Sequence, residues 1–184
     1  FGEFDGSCHG ENDGAAFATG SGFSFEWFEG TTPSGLPFDN GQHVTGLEEG
    51  WYTVVAEGPI DCFNDVQIYI SEPDELEVSI EEESEYGGGY HISCYGLNDG
   101  WAEVKIEGGV PFGTDVNGAE TYYDIEWKDE AVYDWPGDSD ESIGDNSIVY
   151  TLVAGHSYTV HVEDANGCEE NSTTTFKTDP IEVD

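Results

Sequence analysis

Positive charge is almost absent from this chain. Arginine does not occur, and lysine occurs only at Lys105, Lys128 and Lys177, against 41 Asp and Glu, for a formal net charge of -38. Such a surface repels phosphate backbones and anionic headgroups, which excludes nucleic acid as a partner. Apolar runs long enough to cross a bilayer are also missing, so no direct membrane insertion is expected. No stretch holds an amphipathic helical pattern, which excludes a helix bundle. The sequence has no basic, apolar leader and opens on Phe1; it is expected to be mature or, better, a section of something longer.

Strong acidity with few aromatics would mean disorder, but aromatics make up 14% of this chain and sit inside alternating runs. A folded acidic protein follows, with its self-repulsion relieved by salt or by bound divalent cations.

A phrase repeats. Cys8-His-Gly10-Glu-Asn12-Asp13-Gly14 returns as Cys94-Tyr-Gly96-Leu-Asn98-Asp99-Gly100. Glu26-Trp27 returns as Glu126-Trp127, and Leu47-x-x-Gly50-Trp-Tyr52-Thr53-Val54 as Leu152-x-x-Gly155-His-Ser-Tyr158-Thr159-Val160. Each half closes on a second cysteine, Cys62 or Cys168, and exits through Glu72-Pro73 or Asp179-Pro180. The chain is two copies of one unit.

Period-two alternation places strands at Ala15–Thr19, Phe23–Phe28, Gln42–Leu47, Trp51–Glu57 and Val66–Ile70 in the first copy. In the second they fall at Trp101–Glu107, Tyr122–Lys128, Ser147–Val153, Ser157–Glu163 and Ser172–Lys177. Asn-Gly and Asp-Gly steps and 25 glycines lie between them, which is hairpin chemistry. Leu76-Glu-Val78-Ser-Ile80 adds a strand-like run after Pro73, and Pro180-Ile181-Glu-Val183-Asp184 restarts the same grammar. The expected fold is all-β: two tandem Ig-like or PKD-like antiparallel β-sandwich modules, each with one disulfide. The first covers residues 1–73 and lacks its first strand, the second covers 74–180, and 181–184 begin a following repeat.

Small units bury modest cores and need staples. One cysteine pair brackets each copy, too far apart in sequence for the close Cys-x-x-Cys pairs of zinc ribbons, so disulfides Cys8–Cys62 and Cys94–Cys168 are expected. They place the protein outside the cytosol.

Catalytic motifs are missing: there is no Gly-x-Ser-x-Gly elbow, no His-Glu-x-x-His and no phosphate-cradling glycine loop. The expectation is a non-enzyme. His9, His43, His91, His156 and His161 are scattered, and the odd spacing of the last two points them to opposite faces of a strand. Asp138, Asp140, Glu141 and Asp145, with Asn146, gather hard oxygen ligands in the acidic insertion 130–146, making calcium the candidate cofactor. The loop is not an EF-hand, because Ile143 and Val149 stand where glycine and glutamate are needed. Asn12-Asp13 and Asn98-Asp99 read as turns before strands rather than as ligands. Trp27 and Trp127 read as core residues packed near the disulfide, and Trp51, Trp101 and Trp135 as the better positions for stacking on sugar. Asn171-Ser172-Thr173 is an N-glycosylation sequon.

Laid out in order, the module is a strand after proline, Cys-x-Gly-x-Asn-Asp-Gly, a central Glu-Trp strand, Leu-x-x-Gly, Tyr-Thr-Val and Asp164-Ala-Asn166-Gly167-Cys168. In this it resembles the SprB repeat, a unit of long arrays in gliding-motility adhesins and giant surface proteins of Bacteroidetes. The first copy departs from the closing signature with Gly58-Pro-Ile-Asp61-Cys62. The resemblance implies an extracellular surface segment that spaces and displays adhesive regions, exported by type IX secretion, with neighbouring repeats as partners. The competing readings are a calcium-dependent carbohydrate-binding accessory module, with surface glycans as ligands, and a hydrolase.

Overall fold

The computed structural model describes residues 5–59, 62–81, 84–113, 122–131, 142–144 and 147–178, the run 142–144 by its backbone alone. The chain divides into two compact units, 1–75 and 76–184. Every regular element among the described residues is a strand. Among the described residues no helix is long and apolar enough to cross a membrane.

In the first unit β1 (Gly14–Phe17) pairs with β3 (His43–Leu47) to form one sheet. The other sheet has the order β2-β4-β5, from β2 (Ser24–Glu29), β4 (Gly50–Gly58) and β5 (Cys62–Ile70). All pairings are antiparallel. Alternation turns Phe25 and Trp27 of β2 toward Val44, Leu47, Tyr52, Val54 and Ile70, and these seven residues form one buried cluster drawn from both sheets.

The second unit repeats the plan. One sheet has the order β10-β7-β6, from β6 (Glu77–Glu81), β7 (Gly100–Glu107) and β10 (Ile148–Leu152). The other has the order β12-β11-β8-β9, from β8 (Asp124–Asp129), β9 (Ser142–Gly144), β11 (Ser157–Glu163) and β12 (Glu169–Thr175). Ala102, Val104, Val149 and Leu152 of the first sheet meet Trp127, Tyr158, Val160 and Val162 of the second in one core, closed by Ile92 and Phe176. The expected all-β fold of two antiparallel sandwich modules is the fold observed, and Leu76–Ile80 does begin the second unit as β6. In the first unit β1 is paired along one edge among the described residues, and a cleft of about 580 Å³ opens beside it, lined by Ala16, Phe25, Trp27, Val54 and Ile68 among others. The run 181–184 lies outside the described residues.

The repeated Leu-x-x-Gly turn is held the same way twice. Tyr52 Oη donates to Glu48 O at 3.1 Å and Tyr158 Oη to the equivalent Val153 O at 3.4 Å, while also accepting the Val153 N–H at 2.9 Å. Both rings are buried, and that burial raises each phenol above its ordinary pKa.

Neither expected disulfide is formed. Cys62 and Cys94 are free, exposed thiols, and the disulfide-bonded cysteines are Cys8 and Cys168. The reason is distance along the sandwich. Cys8 is held beside the C-terminal end of β5, where the Asp5 and Gly6 N–H groups donate to Ser71 O, whereas Cys62 is the first of the nine residues of that strand. Cys94 lies where the His91 N–H donates to Lys177 O, beyond the end of β12, whereas Cys168 immediately precedes the start of that strand. At roughly 3.3 Å per residue these strands hold each expected pair about 20 to 30 Å apart, and a disulfide needs Cα atoms within about 7 Å.

Candidate functional site

Each unit has an opening turn at one end and a closing turn at the other, and these turns gather the polar chemistry that the sequence singles out. In the opening turn of the first unit the Ser7 N–H donates to Asp13 Oδ1 at 3.0 Å, and the Glu11 N–H to Cys8 O at 3.2 Å. In the second the Ser93 N–H donates to Asp99 Oδ1 at 3.1 Å, the Ser93 hydroxyl donates to Asp99 Oδ2, and the Leu97 N–H donates to Cys94 O at 3.1 Å. The hydrogen bond from the serine side chain, followed by the backbone bond, lowers Asp13 below the usual carboxylate range, and the serine side chain leads the same effect at Asp99. The turn itself falls on His9-Gly10 and Tyr95-Gly96, and the repeated Asn-Asp, expected to be the turn, instead follows it and leads into the strand, its aspartate accepting hydrogen bonds from the preceding serine. In the first unit Glu72 ties this end further, accepting the Gly10 N–H at 2.9 Å and lying 2.8 Å from His9 Nδ1.

The closing turn of the second unit is built on Asp164, which is fully buried. Its Oδ1 accepts the N–H groups of Asn166 and Cys168 at 2.8 and 2.9 Å, and its Oδ2 accepts the Val110 N–H at 2.8 Å. The Gly167 N–H closes the turn on Asp164 O at 3.1 Å. The aspartate of Asp-Ala-Asn-Gly-Cys is therefore an internal staple that joins the turn to the chain after β7. A buried charge is tolerable because it receives several donors. The sequence reading missed this role; the signal was a carboxylate directly after an alternating strand and four residues before cysteine.

Beside Cys94 the surface is concave. A recess of about 700 Å³ is lined by Tyr95, Leu97, Ala154, His156 and Phe176 among others, with Tyr95 65% and Leu97 45% exposed. Cys62 stands next to Phe63, which is 75% exposed.

The structure separates the histidines. His156 precedes β11 and its Nδ1 lies 2.7 Å from Asp129 Oδ2, while His161 on β11 meets Asn171 Oδ1 at 2.8 Å. A cluster that the sequence reading missed does form: one ligand atom each from His161, Glu163 and Glu169 lies within 4.8 Å of the others. The signal was present, because residues 161 and 163 share a face of one strand and the hairpin pairs Glu163 with Glu169. Asn171 is exposed on β12, so its sequon is accessible. Asp138, Asp140, Glu141, Asp145 and Asn146, the calcium candidates, lie outside the described residues, as does Trp135.

Trp27 and Trp127 are buried core residues, at 1% and 0% exposure, with no disulfide of the expected pairs beside them. Trp27 Nε1 donates to Gly41 O at 2.9 Å, which meets the requirement that a buried indole N–H finds a partner. Trp51 is half exposed and packs on Tyr69 across the β4–β5 ladder, ring centroids 5.3 Å apart and planes at 58°.

No family model and no curated protein matches the sequence. Among solved structures the chain is similar to an amphioxus IgVJ-C2 molecule, at 9% identity and a TM-score of 0.37, with 93% of this chain and 99% of that chain covered.

Proposed function

We propose that this chain is a non-catalytic, extracellular tandem-repeat segment of a cell-surface adhesin or filament, which spaces and displays adhesive regions, as the resemblance to the SprB repeat implies. The observation that carries the reading is the duplication of mechanical detail. Both copies form the same two-sheet unit, with the same serine–aspartate opening turn and the same tyrosine clasp on Leu-x-x-Gly. Repetition of a self-contained folded unit is how a chain gains length without a new active surface, and its stability then comes from units and their interfaces. The oxidised Cys8 and Cys168 support a place outside the reducing cytosol. Export by type IX secretion and a role in gliding belong to the same reading. In it the acidic insertion is the place for calcium.

The test is surface labelling of intact producer cells with antibodies raised against the chain, followed by attachment assays with the corresponding Fab fragments. Labelling without permeabilisation and loss of attachment are expected; labelling only after permeabilisation ends the reading. The carbohydrate-binding reading is favoured by one observation, the exposed Trp51–Tyr69 pair. Tight, Trp51-dependent retention on a glycan array would move the assignment there.

A further inference from the structure

The two copies differ in one side chain at a place where their backbones agree. Beyond the last strand of each unit the chain holds the opening segment in the same way: Ser71 O accepts the N–H groups of Asp5 and Gly6, and Lys177 O those of His91 and Ile92. The next residue is Glu72 in the first unit and Thr178 in the second. Glu72 reaches the opening turn, where its carboxylate accepts the Gly10 N–H at 2.9 Å and lies 2.8 Å from His9 Nδ1, its side chain only 10% exposed. Thr178 is too short to do the same. Gly96 takes the left-handed conformation of Gly10, φ 79° against 72°, but its N–H has no acceptor among the described residues. Thr178 Oγ1 is buried and has no hydrogen-bond partner, the one such side-chain atom among the described residues. A buried hydroxyl left unpaired costs free energy that a ligand can recover.

Both residues line the recess of about 700 Å³ beside Cys94. No Asp or Glu lines it, although the chain carries 41. Val153 and Ala154 stand in its wall where the first copy has Glu48 and Glu49. Lys177 lines it as well, and among the described residues it is the lysine without an ion pair, since Lys105 is held by Glu107 and Lys128 by Glu126. The Gly96 N–H, the Thr178 hydroxyl and the Lys177 ammonium are thus three donors of one recess with no carboxylate in its wall. A carboxylate answers all three, because charge-assisted hydrogen bonds are the strong ones.

We infer that the recess of the second unit binds a glutamate side chain presented by a peptide segment of another protein, its carboxylate taking the position that Glu72 takes in the first unit. The glutamate accepts from Gly96 and Thr178 with Lys177 as counter-charge, and its neighbours in the peptide cover Tyr95, Leu97 and Phe176. The recess is larger than one side chain, so apolar neighbours enter with the carboxylate. A net charge of -38 repels polyanions, which favours a peptide with a single carboxylate over an acidic polysaccharide.

This site is independent of the adhesive reading, and either can fail alone. The test is amide NMR of the full chain titrated with the blocked peptide acetyl-Ile-Ser-Glu-Pro-amide, which copies residues 70–73. The Gly96 amide should move downfield and saturate, while the Gly10 amide, already bonded to Glu72, should stay in place. The peptide with glutamine for glutamate should bind about tenfold more weakly, as should the glutamate peptide to Thr178→Val. Lys177→Gln should weaken binding about threefold. Thr178→Glu should rebuild the arrangement of the first unit, with Gly96 downfield before any peptide is added and no response afterwards. A Gly96 amide that ignores the glutamate peptide, or that answers the glutamine peptide equally, would overturn the inference. So would a stronger response to methyl glucuronide, which would make the recess a sugar-acid site. A Gly96 amide that moves with Asp179→Asn or Glu182→Gln and not with peptide would also overturn it, by giving the place to a carboxylate of the chain itself.

Discussion

Thr151 occupies the bulge that Gly46 occupies in the other copy. In the first unit Gly14 pairs with Leu47 and Ala15 with Thr45, skipping Gly46; in the second Gly100 pairs with Leu152 and Trp101 with Tyr150, skipping Thr151. The skipped residue is left-handed in both, φ 76° at Gly46 and 66° at Thr151, and Thr151 is the one non-glycine residue with positive φ among the described residues. A β-branched side chain there costs about 1 to 2 kcal/mol, and glycine gives back part of the gain through unfolded-state entropy. Thr151 is exposed and loses little packing on truncation. Thr151→Gly should therefore stabilise the chain by about 0.5 to 1 kcal/mol, and Gly46→Thr should destabilise it by a similar amount. Urea unfolding of both variants checks the pair; a loss of stability in Thr151→Gly would show that the bulge is not strained.

The last glycine of the repeated phrase is fixed by space and not by backbone freedom. A Cβ on Gly100 would stand 2.5 Å from Ile92 Cδ1 and 2.9 Å from Phe176 Cδ1, and one on Gly14 would stand 2.7 Å from Ile70 Cγ2 and 2.8 Å from Leu47 O. Gly100→Ala and Gly14→Ala should each cost about 1 to 3 kcal/mol through overpacking. Thermal unfolding is the measurement, with exposed Gly22→Ala as a comparison that is strained at φ 80° but meets nothing within 4 Å. If the two core variants lose no more than Gly22→Ala, crowding is not the reason for these glycines.

Asp164 offers both oxygens to three N–H donors in a fully buried position. Asparagine has one acceptor oxygen, so its amide nitrogen must face at least one N–H and leave it unsatisfied. Asp164→Asn should cost about 2 to 3 kcal/mol, more than an exposed hydrogen bond is worth. Hydrogen exchange at the Val110 and Cys168 amides should rise in the variant before global unfolding does. Unchanged protection at both would mean that the carboxylate is dispensable to the turn.

The carboxyls of Asp13 and Asp99 titrate below the ordinary 3.8 because the folded turn donates hydrogen bonds to the charged form. A folded-state pKa lower than the unfolded one adds stability that is complete above 3.8 and is lost as pH falls through the lower, folded value. Acid should thus loosen the opening turns below the ordinary carboxylate range, with no contribution to any change near neutrality. Carbon-detected NMR of the aspartate carboxyls should place the Asp99 midpoint below 3.8, and Ser93→Ala, which removes the largest cause, should return it toward that value. A midpoint unmoved by Ser93→Ala would assign the shift elsewhere.

The position of a strand such as β11 was legible because buried residues alternate along it, and it falls at Ser157–Glu163 as period two predicts. The starts of β5 and β12 were not, since Cys62-Phe-Asn-Asp and Glu169-Glu-Asn171 are exposed and carry no apolar alternation. The core tryptophans were legible from equivalent positions in two copies. The disulfides were misread because sequence order says only that a pair brackets a unit, whereas pairing depends on which end of the sandwich each cysteine reaches. The closing aspartate was visible as a letter of a signature, but its function is a tertiary contact with Val110, in the chain after β7, that spacing does not contain.

Glu163 and Glu169 face each other directly across the β11–β12 ladder, with His161 beside them. Like charges at directly opposed positions cost roughly 0.2 to 1 kcal/mol. Glu169→Gln should accordingly raise stability by about 0.5 kcal/mol at low ionic strength, and the gain should shrink as salt screens the pair. A divalent cation should relieve the same repulsion without mutation. One imidazole and two carboxylates suit zinc better than calcium, which takes oxygen ligands only. Zinc at constant ionic strength should raise Tm in the unaltered chain, and the rise should fall sharply in Glu169→Gln and in His161→Ala. Calcium should give a smaller response from these residues. An equal zinc response in all three proteins would place the cation elsewhere and leave the Glu163–Glu169 pair as simple surface repulsion.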